Sequence, residues 1–212
     1  MDIMEALSVC GIIPVIKLRE VSLSEALADA LVIGEVPCAE VTFRAAGADE
    51  VIRRMRMHNP SLLVGAGTVL KVEQAKAAID AGAQFLVSPG TNPRVVAYAM
   101  ERGVPILPGV MTPTEIEAAL DLGLSTLKFF PAEQAGGPAM LKALSAPYGG
   151  VRFVPTGGIS LSNLADYLKL PCVAACGGSF MVTADLLADA DFSRISELCR
   201  AAAAIVRDVR YA

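Results

Sequence analysis

The sequence predicts an α/β fold, a (β/α)8 TIM barrel of one domain spanning residues 1–212 with a short helix ahead of the first strand. Three observations point there. Short apolar runs alternate with amphipathic helical patterns from one end of the chain to the other. There are eight such runs, and their starts lie roughly 20–26 residues apart, about one βα unit each. A chain of 212 residues suits one α/β barrel, which commonly occupies 200–250 residues as a single domain. An open doubly wound sheet is the alternative, but it usually needs fewer strands and a glycine-rich turn after the first. The turn after Ile16 reads Lys17-Leu-Arg-Glu-Val21, without a glycine.

In order, Asp2–Val9 reads as the leading helix, and the strand-like runs are Ile12–Ile16, Cys38–Phe43, Leu62–Thr68 and Phe85–Pro89. Pro105–Val110, Thr126–Phe130, Arg152–Thr156 and Cys172–Cys176 follow. Helical patterns between them include Leu23–Val32, Val72–Ala81, Pro93–Arg102 and Pro113–Leu122. Ser22, Thr112 and Ser160 are residues of the N-capping type. Gly82, Gly103 and Gly123 stand where helices stop. Phe192–Tyr211 reads as a closing helix, with Arg207 and Arg210 near its negative end.

Composition narrows the function. Hydrophobic residues make up 54% of the chain and charged residues 19%, the balance of an ordinary globular core. The net charge of −4 and the lack of a basic stretch argue against nucleic acid. No apolar run reaches the length of a membrane span, and Met1-Asp-Ile-Met-Glu5 lacks the basic start of a signal peptide, so the expected location is cytoplasmic. The five cysteines form no CxxC pair and read as reduced core residues. His58, the only histidine, sits beside Asn59-Pro60 at an expected helix end and reads as a surface or capping residue. No cluster suggests a metal, and no cofactor is expected.

A barrel places its chemistry at the C-terminal ends of its strands. Lys128 stands out in Thr126-Leu-Lys-Phe-Phe-Pro-Ala-Glu133. An ammonium is rarely placed in an apolar strand without a partner, because taking it out of water is costly. Withdrawal from water favours the neutral form of an amine in general, and a neutral amine can attack a carbonyl to form a Schiff base. The bland reading is a buried ion pair with an acidic group. Lys17 is a rival amine, but Arg19 and Glu20 beside it suggest a solvated loop. Lys71, Lys76, Lys142 and Lys169 lie in helical or loop contexts. On the second strand, period-two geometry turns Glu40, Thr42 and Arg44 to one face, with Val41 and Phe43 on the other. Glu40 and Arg44 are either a simple salt bridge or a proton-transfer group and a carboxylate clamp.

The last two strands are each followed by a glycine pair, in Pro155-Thr-Gly-Gly-Ile-Ser160 and Ala175-Cys-Gly-Gly-Ser179. Glycines allow backbone N–H groups to approach an anion, and barrels often hold a phosphate in these two loops.

These residues, with Ile13-Pro-Val-Ile16, Val64-Gly-Ala-Gly-Thr68, Val87-Ser-Pro-Gly90 and Pro108-Gly109, run in order through nearly the whole barrel. The chain thereby resembles the bacterial 2-keto-3-deoxy-6-phosphogluconate (KDPG) and 4-hydroxy-2-oxoglutarate (KHG) aldolases. The resemblance implies a metal-free class I aldolase, a homotrimer acting on a phosphorylated 2-keto-3-deoxy sugar acid and pyruvate. It assigns Lys128 as the Schiff-base lysine and Glu40 as the general acid/base. Arg44 and Thr68 hold the pyruvate carboxylate, and Pro89 and Phe130 line the pocket. Thr156, Gly157, Gly158, Gly178 and Ser179 lie around the phosphate. Ala45 departs from the threonine frequent after Arg44, and Gln134-Ala135 fall in a variable stretch. The galactonate-derived epimer, unphosphorylated KHG, a phosphosugar isomerase, epimerase or synthase barrel, and a phosphate-binding barrel without catalysis remain alternatives.

Overall fold

The computed structural model describes residues 2–211. The leading helix α1 (Ile3–Cys10) stops at Gly11 in the left-handed conformation and feeds β1 (Ile12–Ile16). A 3-10 turn (Val21–Leu23) precedes α2 (Ser24–Ile33). The chain continues through β2 (Cys38–Thr42), α3 (Ala48–His58), β3 (Leu63–Gly67) and α4 (Val72–Asp80). Next come β4 (Leu86–Val87), α5 (Pro93–Glu101), β5 (Ile106–Leu107), β6 (Gly109–Val110) and α6 (Pro113–Asp121). The last third comprises β7 (Thr126–Phe129), α7 (Gly137–Ser145), β8 (Arg152–Pro155), α8 (Leu164–Leu168), β9 (Cys176–Gly178), α9 (Ala184–Ala188) and α10 (Phe192–Arg210).

All ladders are parallel. Regular pairing gives a curled six-stranded sheet in the order β5-β4-β3-β2-β1-β9 and a three-stranded sheet β6-β7-β8, where the sequence predicted one eight-stranded closed sheet. Proline accounts for part of the difference, because it has no N–H to give a ladder. Pro108 splits the expected fifth strand into β5 and β6, although its carbonyl still accepts the Lys128 N–H at 2.9 Å. Between β8 and the final segment only the single bridges Phe153–Val173 and Thr156–Gly177 form. Pro155, which lies between those bridges, offers no donor.

The eighth expected strand is displaced. It was placed at Cys172–Cys176, but the Val173 N–H donates to the Leu170 carbonyl at 2.9 Å, closing a turn after α8. Pairing with β1 starts only at Cys176, opposite Ile12, so Gly177 and Gly178 are strand residues rather than loop.

Two cap assignments also change. Ser22 lies inside the 3-10 turn, and α2 has Leu23 at its N-cap with no side-chain cap. Ser160 does not cap α8, whose N-cap is Asn163. Thr112, by contrast, forms a full capping box with Glu115 at the start of α6. Gly82, Gly103 and Gly123 end their helices with φ of 97°, 65° and 80°.

Leu127, Phe129 and Phe153 are fully buried, turned toward the helices as period two requires. Each such side chain contributes about 1.5–3 kcal/mol by leaving water. At the N-terminal end of the strands, Arg210 from α10 donates to the carbonyls of Ser8 and Ala174, tying the last helix to α1. His58 ends α3, exposed and 2.8 Å from Asp29, as a surface histidine. Among the described residues no helix is long and apolar enough to cross a membrane.

Candidate active site

Two charged residues lie deep at the C-terminal ends of the strands. Lys128 on β7 and Glu40 on β2 are 5% and 3% exposed, figures ordinarily reserved for apolar side chains. Lys128 Nζ lies 3.7 Å from Glu40 Oε1. The partner that a buried ammonium needs is therefore Glu40. The Arg44–Glu40 salt bridge, one of the two alternatives the sequence left open, does not form among the described residues. Arg44 is exposed, and its Nε donates to Thr42 Oγ1 at 3.4 Å. The Thr42 hydroxyl in turn donates to the Ile16 carbonyl at 2.7 Å, anchoring β2 to β1.

The pair is close but loosely bonded. Glu40 Oε1 is a buried side-chain oxygen without a hydrogen-bond partner among the described residues. Its contact with Lys128 Nζ, at 3.7 Å, is an ion pair longer than a hydrogen bond. Gly67 on β3 creates the room. A Cβ there would stand 2.1 Å from Glu40 Oε1 and 2.6 Å from its Cγ. Directly after it, Thr68 holds a left-handed φ of 56°, a strained conformation for a β-branched residue of the kind that collects at functional sites. The Phe130 ring closes over the lysine, its centroid 5.2 Å from Nζ.

Lys128 and Glu40 open into a cavity of about 270 Å³. Arg44, Thr68, Pro89, Phe130, Thr156, Gly157, Gly158 and Ser179 line it as well. Of the residues expected at the site, only Gly178 is outside the lining. Gly177 takes its place, because the last strand is offset, and a Cβ on Gly178 would instead face Phe180 and Ile12. Val15 and Ile159 also line the cavity and were not singled out from the sequence. Val15 sits opposite Glu40 in the β1–β2 register, a pairing that the sequence does not give. Lys17 is exposed, as its charged neighbours suggested. No three His, Cys, Asp or Glu side chains converge at metal-ligating spacing among the described residues.

Such a constellation can form an imine at a ketone and shuttle a proton beside it. Comparison with known proteins points the same way. The model of the family described as KDPG and KHG aldolase matches residues 3–198. The chain belongs to that family. A 2-dehydro-3-deoxy-phosphogluconate aldolase of Treponema pallidum is 54% identical, over 96% of this chain and 97% of its own. A KDPG aldolase structure from Legionella pneumophila, with pyruvate captured as a covalent carbinolamine, superposes with a TM-score of 0.91 at 38% identity, covering 94% of this chain and 97% of that one. The KDPG aldolase of Zymomonas mobilis ZM4, solved with 3-phosphoglycerate, has a TM-score of 0.91 at 35% identity over 99% of both chains. Family membership thus makes the protein an aldolase, a lyase.

Proposed function

We propose that this aldolase reversibly cleaves 2-keto-3-deoxy-6-phosphogluconate to pyruvate and glyceraldehyde 3-phosphate, and 4-hydroxy-2-oxoglutarate to pyruvate and glyoxylate, through a Schiff base on Lys128. The observation that carries the proposal is the buried Lys128–Glu40 pair, 3.7 Å apart, at the wall of the cavity. An amine held against a carboxylate that has an unsatisfied oxygen can be used as nucleophile and proton acceptor in one site.

In this reading Lys128 attacks the C2 ketone, and loss of water gives a protonated imine. That imine is the electron sink. Glu40 takes the proton of the C4 hydroxyl, the C3–C4 bond breaks, and the aldehyde leaves. The bonding pair becomes the enamine of pyruvate. Glu40 returns a proton to C3, and hydrolysis of the imine frees pyruvate and Lys128. Arg44 and Thr68 bind the carboxylate; the exposed Arg44 guanidinium has no ion-pair partner among the described residues to compete with it. Pro89 and Phe130 give the pyruvate end its apolar walls. Thr156, Gly157, Gly158, Ser179 and the neighbouring Gly178 form the phosphate end.

The same reading includes one catalytic domain over the whole chain, built on a closed eight-stranded barrel in which β5 and β6 count as one strand. It also includes a homotrimer in the cytoplasm. Cleavage assays on the gluconate- and galactonate-derived phosphorylated epimers and on 4-hydroxy-2-oxoglutarate, run side by side, test the substrate. The gluconate-derived compound should have the highest kcat/KM. A clear preference for the galactonate-derived epimer would overturn the substrate assignment while leaving the lysine chemistry standing.

A further inference from the structure

We propose that Asn163 is a positioning residue for the phosphate end of the cavity, holding the Gly157–Ile159 loop so that its N–H groups rather than its carbonyls face an anion. The inference rests on the reading of that loop as the phosphate end.

The loop leaves β8, passes Gly157 and Gly158 at φ of 100° and 80°, and enters α8. Three successive carbonyls are engaged by groups outside the cavity lining. Thr156 O accepts from the Ala132 N–H at 2.8 Å, and Gly157 O accepts from the Glu133 N–H at 3.1 Å. Gly158 O accepts from Asn163 Nδ2 at 3.0 Å. The Gly158 and Ile159 N–H groups donate to no protein acceptor among the described residues. An anion is attracted by free N–H groups and repelled by any carbonyl turned toward it, so fixing the carbonyls elsewhere prepares the loop before a ligand arrives.

Asn163 is the only side chain in this set of contacts, and it clamps both ends of the turn. While Nδ2 holds the Gly158 carbonyl, Oδ1 accepts the Ser160 N–H at 2.8 Å. It is the N-cap residue of α8, where an asparagine ordinarily accepts from the helix's own first N–H groups. Here it makes no such bond. Its amide is spent on the loop instead of the helix, a use that helix stability does not explain. On the other side of the loop, Glu133 is held by the buried Tyr167 hydroxyl and packs where a Gly158 Cβ would sit, 2.5 Å from Glu133 Cγ. The loop is thus braced from both flanks, and Asn163 is the brace that can be removed without touching the cavity wall.

The test compares KM and kcat of Asn163→Ala and Asn163→Asp on the phosphorylated substrate and on 4-hydroxy-2-oxoglutarate, with reductive trapping of pyruvate on Lys128 as a control. Asn163→Asp is isosteric and keeps the Ser160 contact, which guards against a variant that merely fails to fold. Loss of the Gly158 hold should raise KM for the phosphorylated substrate about 10-fold, the effect of one mispositioned hydrogen-bonding group. Asn163→Asp, which sets a carboxylate against the Gly158 carbonyl, should raise it at least as much. In both variants kcat, the kinetics on 4-hydroxy-2-oxoglutarate and the trapping yield should stay within about twofold of the wild type. Equal losses on the two substrates, or no change on either, would overturn the role of Asn163. A wild-type enzyme that traps pyruvate but handles both substrates with the same KM would instead overturn the phosphate reading beneath it.

Discussion

Gly67→Ala probes the site through a single methyl group. Gly67 lies on β3 with a φ outside the left-handed region, so alanine meets no backbone penalty there. The contact is the perturbation. The new Cβ would stand 2.1 Å from Glu40 Oε1, 2.6 Å from Cγ and 2.7 Å from Cδ. Restoring van der Waals separation requires the carboxylate to retreat by roughly 1 Å, and a displacement of that size at reacting groups costs on the order of 100-fold in rate. That is about 2.7 kcal/mol of transition-state stabilisation. The three atoms nearest the new methyl all belong to Glu40, so imine formation on Lys128 should survive. The assay follows steady-state cleavage through a lactate dehydrogenase couple, with borohydride trapping of pyruvate measured in parallel by mass spectrometry. The expected result is a kcat about 100-fold down with trapping near wild-type yield. Cleavage within threefold of wild type would refute the claim that the glycine exists to seat Glu40.

Replacing Glu40 itself with glutamine should preserve trapping and slow cleavage by at least the ~100-fold typical of general acid–base catalysis; normal cleavage with lost trapping would reverse the roles of the two residues. Away from the site, burial pushes the Cys176 and Cys199 thiols up to about 12. Their folded values lie above the unfolded value of about 8.5, so their contribution to stability is complete below that pH and is lost as pH rises toward 12. The urea midpoint should therefore fall between about pH 8 and about pH 10.5, and by less in Cys199→Ala than in the wild type. An identical fall in both proteins would contradict the assignment for Cys199.

Much of the fold was legible because period and punctuation agree. The continuous apolar run of β1 matches a parallel strand buried on both faces, β2 departs from it only at Glu40 and Thr42, and the limits of both strands fall within one residue of the expected ones. Glycines at 82, 103 and 123 ended helices as their backbone freedom implies. Failures came where a competing local rule won. Pro108 and Pro155 remove donors from an otherwise strand-like pattern, and strand propensity alone does not register that loss. Cys172–Cys176 looks like a strand by composition, yet the turn after α8 takes its first residues and moves the pairing with β1 to Cys176.

Within the site, alternation identified the faces of Glu40 and Lys128 but could not pair them. The chain separates β2 from β7, and only the curl of the sheets brings the carboxylate to the lysine in place of the nearby Arg44. Gly67 was hidden for a similar reason. Its role is to be absent from the space that Glu40 fills, and that space is defined by three dimensions rather than by sequence. Asn163 was passed over for Ser160 as the cap-type residue, and nothing local shows that its amide turns back to the preceding loop.

The central claim is that Lys128 is the nucleophile. Borohydride reduction in the presence of pyruvate, followed by peptide mapping, tests it most directly. One stoichiometric pyruvate-derived adduct is expected on Lys128, and none on the exposed Lys17. An unmodified Lys128, or an adduct found on Lys17 instead, would contradict it.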